Sequence, residues 1–295
     1  MAPGDRPGHC CGAGRGVVAM DSPSDVLALF AQEADSCGAG LAVDCLCRLS
    51  RLRRGLSEAS VRSGAFHRLL ARVLEAARSG ALSAAELSDV MQAVAYLEGR
   101  HPMLGDVMEH CLAAFLAQAG AASTRELADC AWSLARFRSG GASADLRSLV
   151  VEATAQATSF RTVELAKLAW GLASLAIPSP ELFAALARQA FLLRDRLSPQ
   201  SLANIAWSFA KLELRDPALE QLLTARSTIS SLRAAKPQEL SSLAWALATL
   251  HSEEPKGGPM PLLRAIVDEA TAKLQEFAPQ GLANLAWSIA KLLHR

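Results

Sequence analysis

All five tryptophans of the chain fall in one register of one repeated segment, and a fixed period of this length decides the fold before any local pattern is read. Trp132, Trp170, Trp207, Trp245 and Trp287 are spaced by 38, 37, 38 and 42 residues. Around them recur ELADCAWSLARF, ELAKLAWGLASL, SLANIAWSFAKL, ELSSLAWALATL and GLANLAWSIAKL. Two weaker copies precede these, ELSDVMQAVAYL with Gln92 in the Trp place and AVDCLCRLSRL with Cys47 there. The chain therefore reads as seven repeats with spacings from 37 to 45 residues.

Each repeat reads as two helices. A second amphipathic stretch lies ahead of the Trp segment, for example from Pro180 to Leu197 or from Pro261 to Phe277. Pro199, Pro237 and Pro279 each stand eight residues before a Trp, where a missing N–H does no harm at the first helical position. Ser198 precedes the first of them as an N-cap, and Ser83/Glu86 and Ser123/Glu126 have capping-box spacing. The expected fold is all-α, an α-solenoid of about seven helix-turn-helix repeats, hence about fourteen helices. Residues 1–22, rich in Gly, Pro and Arg, read as a disordered leader and 23–295 as the solenoid, degenerate over 23–80 and clear over 81–295. Ser252–Pro259 reads as a longer loop between repeats that accounts for the spacing of 42.

Composition narrows the function. Thirty basic against twenty-nine acidic residues give a net charge of +1, so no global field draws the chain to nucleic acid or to an anionic membrane, and any basic surface is local. Apolar runs are interrupted well before the ~20 residues a membrane helix needs, so the chain reads as soluble with no membrane partner. Seven cysteines, none in C-x-x-C spacing, indicate reduced-compartment usage without a disulfide or zinc framework. His9-Cys10-Cys11 and His110-Cys111 match no zinc module, and no phosphate-loop, nucleophile-elbow or paired-carboxylate pattern is present. Neither metal, cofactor nor catalysis is expected.

A helical wheel places the remaining possibilities. Counting from each Trp, positions −5, −2, +2 and +5 fall together and are apolar, as in Leu202, Ile205, Phe209 and Leu212; this side is core. Positions −4, −1 and +3 are almost always Ala and read as a close helix contact. Positions −3, +1 and +4 are polar and read as one stripe: Asp129, Ser133, Arg136; Lys167, Gly171, Ser174; Asn204, Ser208, Lys211; Ser242, Ala246, Thr249; Asn284, Ser288, Lys291. Stacked repeats would set these stripes side by side as a groove for an extended polymer. Basic residues at +4 could follow a phosphate backbone, and the varying −3 residues could discriminate one base per repeat. The Trp column itself reads as packing between repeats. A solvated helix face with polar ladders, serving a protein-protein scaffold of armadillo/HEAT-like type, fits the same pattern.

LSPQSLANIAWSFAKL (Leu197–Leu212) and FAPQGLANLAWSIAKL (Phe277–Leu292) closely resemble the octotricopeptide repeat, with its Pro-Gln turn followed by a Leu-Ala-Asn and Trp-Ala helix. Similar repeats occur in heptatricopeptide proteins, FAST kinase-like proteins and the RNA-editing substrate-binding complex proteins of protist mitochondria. The resemblance implies a non-catalytic binder of single-stranded RNA in a mitochondrion or plastid, acting in transcript processing, stability, translation or editing. Without an organelle the expectation is cytoplasmic, since Arg6, Arg15 and Asp5 make a poor transit peptide. The RNA-binding residues expected from the polar stripe are Arg136, Lys167, Asn204, Ser208, Lys211, Ser242, Asn284, Ser288 and Lys291. Many relatives carry a RAP domain, whereas this sequence ends within a repeat helix that keeps full packing columns. It is therefore expected to be a fragment or shortened form, or to dock at its carboxy-terminal end onto a further repeat subunit or another RNA-processing protein.

Overall fold

The computed structural model describes residues 16–33, 38–137, 146–250 and 260–293. The expected Ser252–Pro259 loop, His9-Cys10-Cys11 and most of the 1–22 leader lie outside these. The described residues are helical with no strand, and successive helices pack against one another as an all-α solenoid. Their contacts divide them into two bodies, the first ending at Ala122 with Arg136 grouped to it, the second comprising Ser123–Ala135 and the chain from Leu146.

The first body contains α1 (Pro23–Glu33), α2 (Ala39–Arg51), the single turn α3 (Glu58–Val61), α4 (Gly64–Arg78), α5 (Ala84–Tyr96) and α6 (Leu104–Ala117). Helix α2 packs on α5, and α4 on α6, so equivalent helices of successive repeats form two layers. Packing begins inside the expected leader. Val17 is buried, the Arg48 Nε donates to the Met20 carbonyl at 2.6 Å, and Arg48 Nη2 pairs with Asp21 at 3.1 Å. Val17 belongs to a run of only four apolar residues, Val17–Met20, too short to show a helical period.

The second body contains α7 (Thr124–Arg136, less its last residue), α8 (Arg147–Ala155), α9 (Thr162–Ser174), α10 (Pro180–Leu192), α11 (Pro199–Lys211), α12 (Pro217–Thr224), α13 (Arg226–Ser231), α14 (Pro237–Leu250), α15 (Met260–Ala272) and α16 (Pro279–Leu293). Each Trp helix begins eight residues before its Trp. The Ser198 side chain caps α11 by accepting from the Ser201 N–H at 3.1 Å, and Ser123 and Glu126 exchange bonds at the start of α7. Trp helices α9, α11, α14 and α16 stack in sequence to form one layer, and Phe183 of α10 meets Phe209 of α11 edge-on at 5.1 Å beneath it.

The first helix of a repeat is shorter than its amphipathic pattern. α10 ends at Leu192 and not at Leu197, and a 3-10 turn, Arg194–Arg196, closes the gap; Leu274–Glu276 does the same after α15. The residue ten before the Trp then extends and turns inward, burying Ala122, Phe160, Leu197, Ala235 and Phe277. A side chain from the next repeat satisfies its carbonyl in two places, Gln189 donating to Phe160 at 3.2 Å and Lys273 to Ala235 at 2.8 Å, and Gln118 donates in the same way at 3.2 Å to Leu82, ten before Gln92 of the first body. In the fourth repeat of the second body the first helix splits into α12 and α13 around the extended Ala225.

Candidate nucleic-acid interface

The Trp helices lean on each other through two flanks of small residues. The Ala flank, −4, −1 and +3, is buried where a further helix follows, as at Ala203, Ala206 and Ala210. The opposing flank is the +1 column. A Cβ built on Gly171 would lie 2.7 Å from the Ala131 carbonyl carbon and 2.9 Å from the Trp132 nitrogen, so α9 meets the backbone of α7 at this point.

This corrects the reading of +1 as part of a solvent groove. Ser133, Ser208 and Ser288 have no solvent exposure, and their hydroxyls donate to the carbonyls of Asp129 (2.7 Å), Asn204 (2.6 Å) and Asn284 (2.6 Å) in their own helices. Ser208 and Ser288 therefore cannot touch a ligand on the surface. Their role is to be small. The five strong copies hold only Ser, Gly or Ala at +1, a restriction legible in the sequence that polarity alone obscured.

The solvent-facing stripe is instead −7, −3, 0 and +4, four positions within about one-sixth of the helix circumference at 3.6 residues per turn. The −7 residues were missed because the wheel stopped short of the first turn. They are Arg125, Val163, Gln200, Gln238 and Gln280, and extending the period by two turns finds them. At −3, Lys167, Asn204, Ser242 and Asn284 are half-buried, and at +4 Lys211 is exposed and Lys291 half-buried. Lys291 lies 4.7 Å above its own Trp287 ring. Arg136 groups with the first body, where its guanidinium lies 5.4 Å from the Tyr96 ring, so it is not brought together with the others in one body.

Asp129 and Lys167 occupy the same place in successive repeats and pair directly. The Asp129 side chain is 7% exposed, its other oxygen is 3.5 Å from Arg125 Nε, and the Lys167 ammonium lies 4.8 Å above the Trp132 ring. Trp207 and Trp245 pack against each other across repeats, 6.4 Å apart at 36°, and Trp132, Trp170, Trp207 and Trp245 are half-buried. Trp287 is 46% exposed.

In the first body the −3 column is acidic. Asp44 of α2 and Asp89 of α5 hold it, and burial, then Glu86, then Asp89 raise the Asp44 carboxyl above its ordinary 3.8, against the opposing Arg51. A carboxyl raised on folding contributes stability below its unfolded pKa and loses it as pH rises through the folded value. Asp44→Asn is therefore expected to raise the melting temperature at pH 7 by about 1–3 °C and to lose that advantage near pH 3.5. Scanning calorimetry at the two pH values checks this, and an equal gain at both would show that charge is not the cause.

Cys111 and Cys130 are buried, and burial pushes the Cys111 thiol up to about 12 and Cys130 higher still, so neither is an ionised nucleophile at neutral pH. Among the described residues no cluster of three His, Cys, Asp or Glu side chains is placed to hold a metal, and no helix is long and apolar enough to cross a membrane. No protein-family model and no curated protein matches the chain.

Proposed function

We propose that the chain binds single-stranded RNA along its layer of Trp helices and acts, without chemistry of its own, in organellar transcript processing, stability, translation or editing. The charge of the stripe supports this reading. In a chain of net charge +1, the exposed stripe of the second body carries Arg125, Lys167, Lys211 and Lys291 against the single carboxylate of Asp129. A local positive field recurring between repeats suits a flexible polyanion that runs across them. The resemblance to octotricopeptide repeats supplies the polymer and the mitochondrial or plastid setting.

A second reading is favoured by one observation. On α16 the Ala flank is uncovered: Ala283, Ala286 and Ala290 are exposed, where their counterparts on α11 are buried. A further repeat subunit or an RNA-processing protein would find there the surface that each preceding Trp helix offers its neighbour. The two readings separate in a filter-binding assay with a randomised single-stranded RNA pool at 50 and 200 mM salt. RNA binding requires retention that weakens steeply with salt. No retention at 50 mM salt would leave the scaffold reading in its place.

A further inference from the structure

Resting on that RNA reading, the chemistry of the −3 column separates repeats that can read a base from repeats that cannot. To discriminate a base, a side chain must present donors or acceptors that the protein has not already satisfied. In the first body this position holds Asp44 and Asp89, which with Glu86 lie close enough to act on one another, and such a cluster of carboxylates repels a phosphate chain where a lone one would not. In α7 and α9 it holds Asp129 and Lys167, which satisfy each other, with Arg125 and the Trp132 ring taking up what remains. Opening that pair for a ligand would leave a buried carboxylate short of its principal partner, a larger loss than one base hydrogen bond returns.

The next repeats differ. Among the described residues the Asn204 and Ser242 side chains have no hydrogen-bond partner, although both are half-buried. Asn284 accepts one bond, from Gln280 Nε2 at 3.1 Å, which leaves its amide NH2 free. Lys211, one turn beyond Trp207, is exposed and makes no ion pair with a described residue. These helices, α11, α14 and α16, are consecutive members of one stacked layer.

We infer that sequence reading is confined to Asn204, Ser242 and Asn284, one nucleotide each, and that Asp129–Lys167 is a structural latch with no part in base recognition. The latch joins α7 to α9 where Gly171 brings their backbones together, so the close helix contact and the ion pair reinforce one another. The reading residues then follow as an uncharged amide, a hydroxyl and an amide. Such groups discriminate base edges by hydrogen bonding, while Lys211 and Lys291 hold the phosphates.

The test selects motifs from a randomised single-stranded RNA pool with the wild-type chain, with Asn204→Asp, and with Asp129→Asn/Lys167→Gln, which keeps the net charge unchanged. Melting temperatures are measured for these and for Lys167→Gln alone. The wild type should enrich a core of about three nucleotides, one per reading repeat. Asn204→Asp should change one position of that core toward cytosine, whose amino group a carboxylate accepts, with little change in melting temperature. The double variant should enrich the same core with affinity within about twofold, since it alters no reading residue. Lys167→Gln alone should melt several degrees lower, and adding Asp129→Asn should recover part of that loss. A core that changes in the double variant, or is indifferent to Asn204→Asp, overturns the inference while RNA binding stands. Absence of any RNA binding overturns the functional reading and this inference with it. A single Lys167→Gln variant as stable as the wild type would overturn the latch independently of RNA.

Discussion

Gly171→Val is expected to destabilise the second body by about 3 kcal/mol, because the added atoms meet backbone that cannot move without separating two helices. The alanine variant should lose less, since alanine returns about 1 kcal/mol of helix propensity while its Cβ still meets the Ala131 carbonyl carbon. Ser208→Ala, in the same column two helices along from α7, removes only a hydroxyl bonded within its own helix and should change stability by less than about 1 kcal/mol. Denaturant titration followed by circular dichroism measures all three. Equal stability of Gly171→Val and wild type would mean that α7 and α9 do not approach as closely as the structure shows.

Replacing Lys211 and Lys291 together by alanine is expected to weaken RNA binding to every sequence by about tenfold at moderate salt, because two phosphate contacts are lost. The slope of log affinity against log salt should flatten by about 1.4, near 0.7 for each contact to a single strand. The helical content should not change, since Lys211 is exposed and Lys291 rests on the face of its own Trp287 ring. If this variant kept its RNA affinity while a protein partner was lost, the +4 residues would belong to a protein interface.

Much of this architecture was legible because one bulky residue marks a fixed position in every strong repeat. Trp spacing gave the repeats, and Pro199, Pro237 and Pro279 with Ser123 and Ser198 gave the starts of the helices. The site was legible only in part. Period and polarity placed Lys167, Asn204, Lys211, Ser242, Asn284 and Lys291 on accessible or half-buried ground, but they also placed Ser208 and Ser288 there. A serine that returns its hydroxyl to its own helix is as compatible with a dry contact as with water. Size was the better guide, since a column restricted to Ser, Gly and Ala marks close approach. The Asp129–Lys167 pair was also visible as opposite charges at one position of successive repeats, a signal that appears only when repeats are compared with each other. The 3-10 turns that shorten the first helices were hidden because their residues continue an amphipathic pattern.

An RNA held by the Trp layer must touch the −7, −3, 0 and +4 face of its helices and leave the first helix of each repeat untouched. Ultraviolet crosslinking of the chain to a bound single-stranded RNA, followed by mass spectrometry of the attached peptides, reads that face. Crosslinks are expected on the peptides of α11, α14 and α16, with Trp287, the most exposed of the five indoles, among the sites. Crosslinks confined to α10, α12 and α15, the other helices of the same repeats, would contradict the interface proposed for the Trp layer.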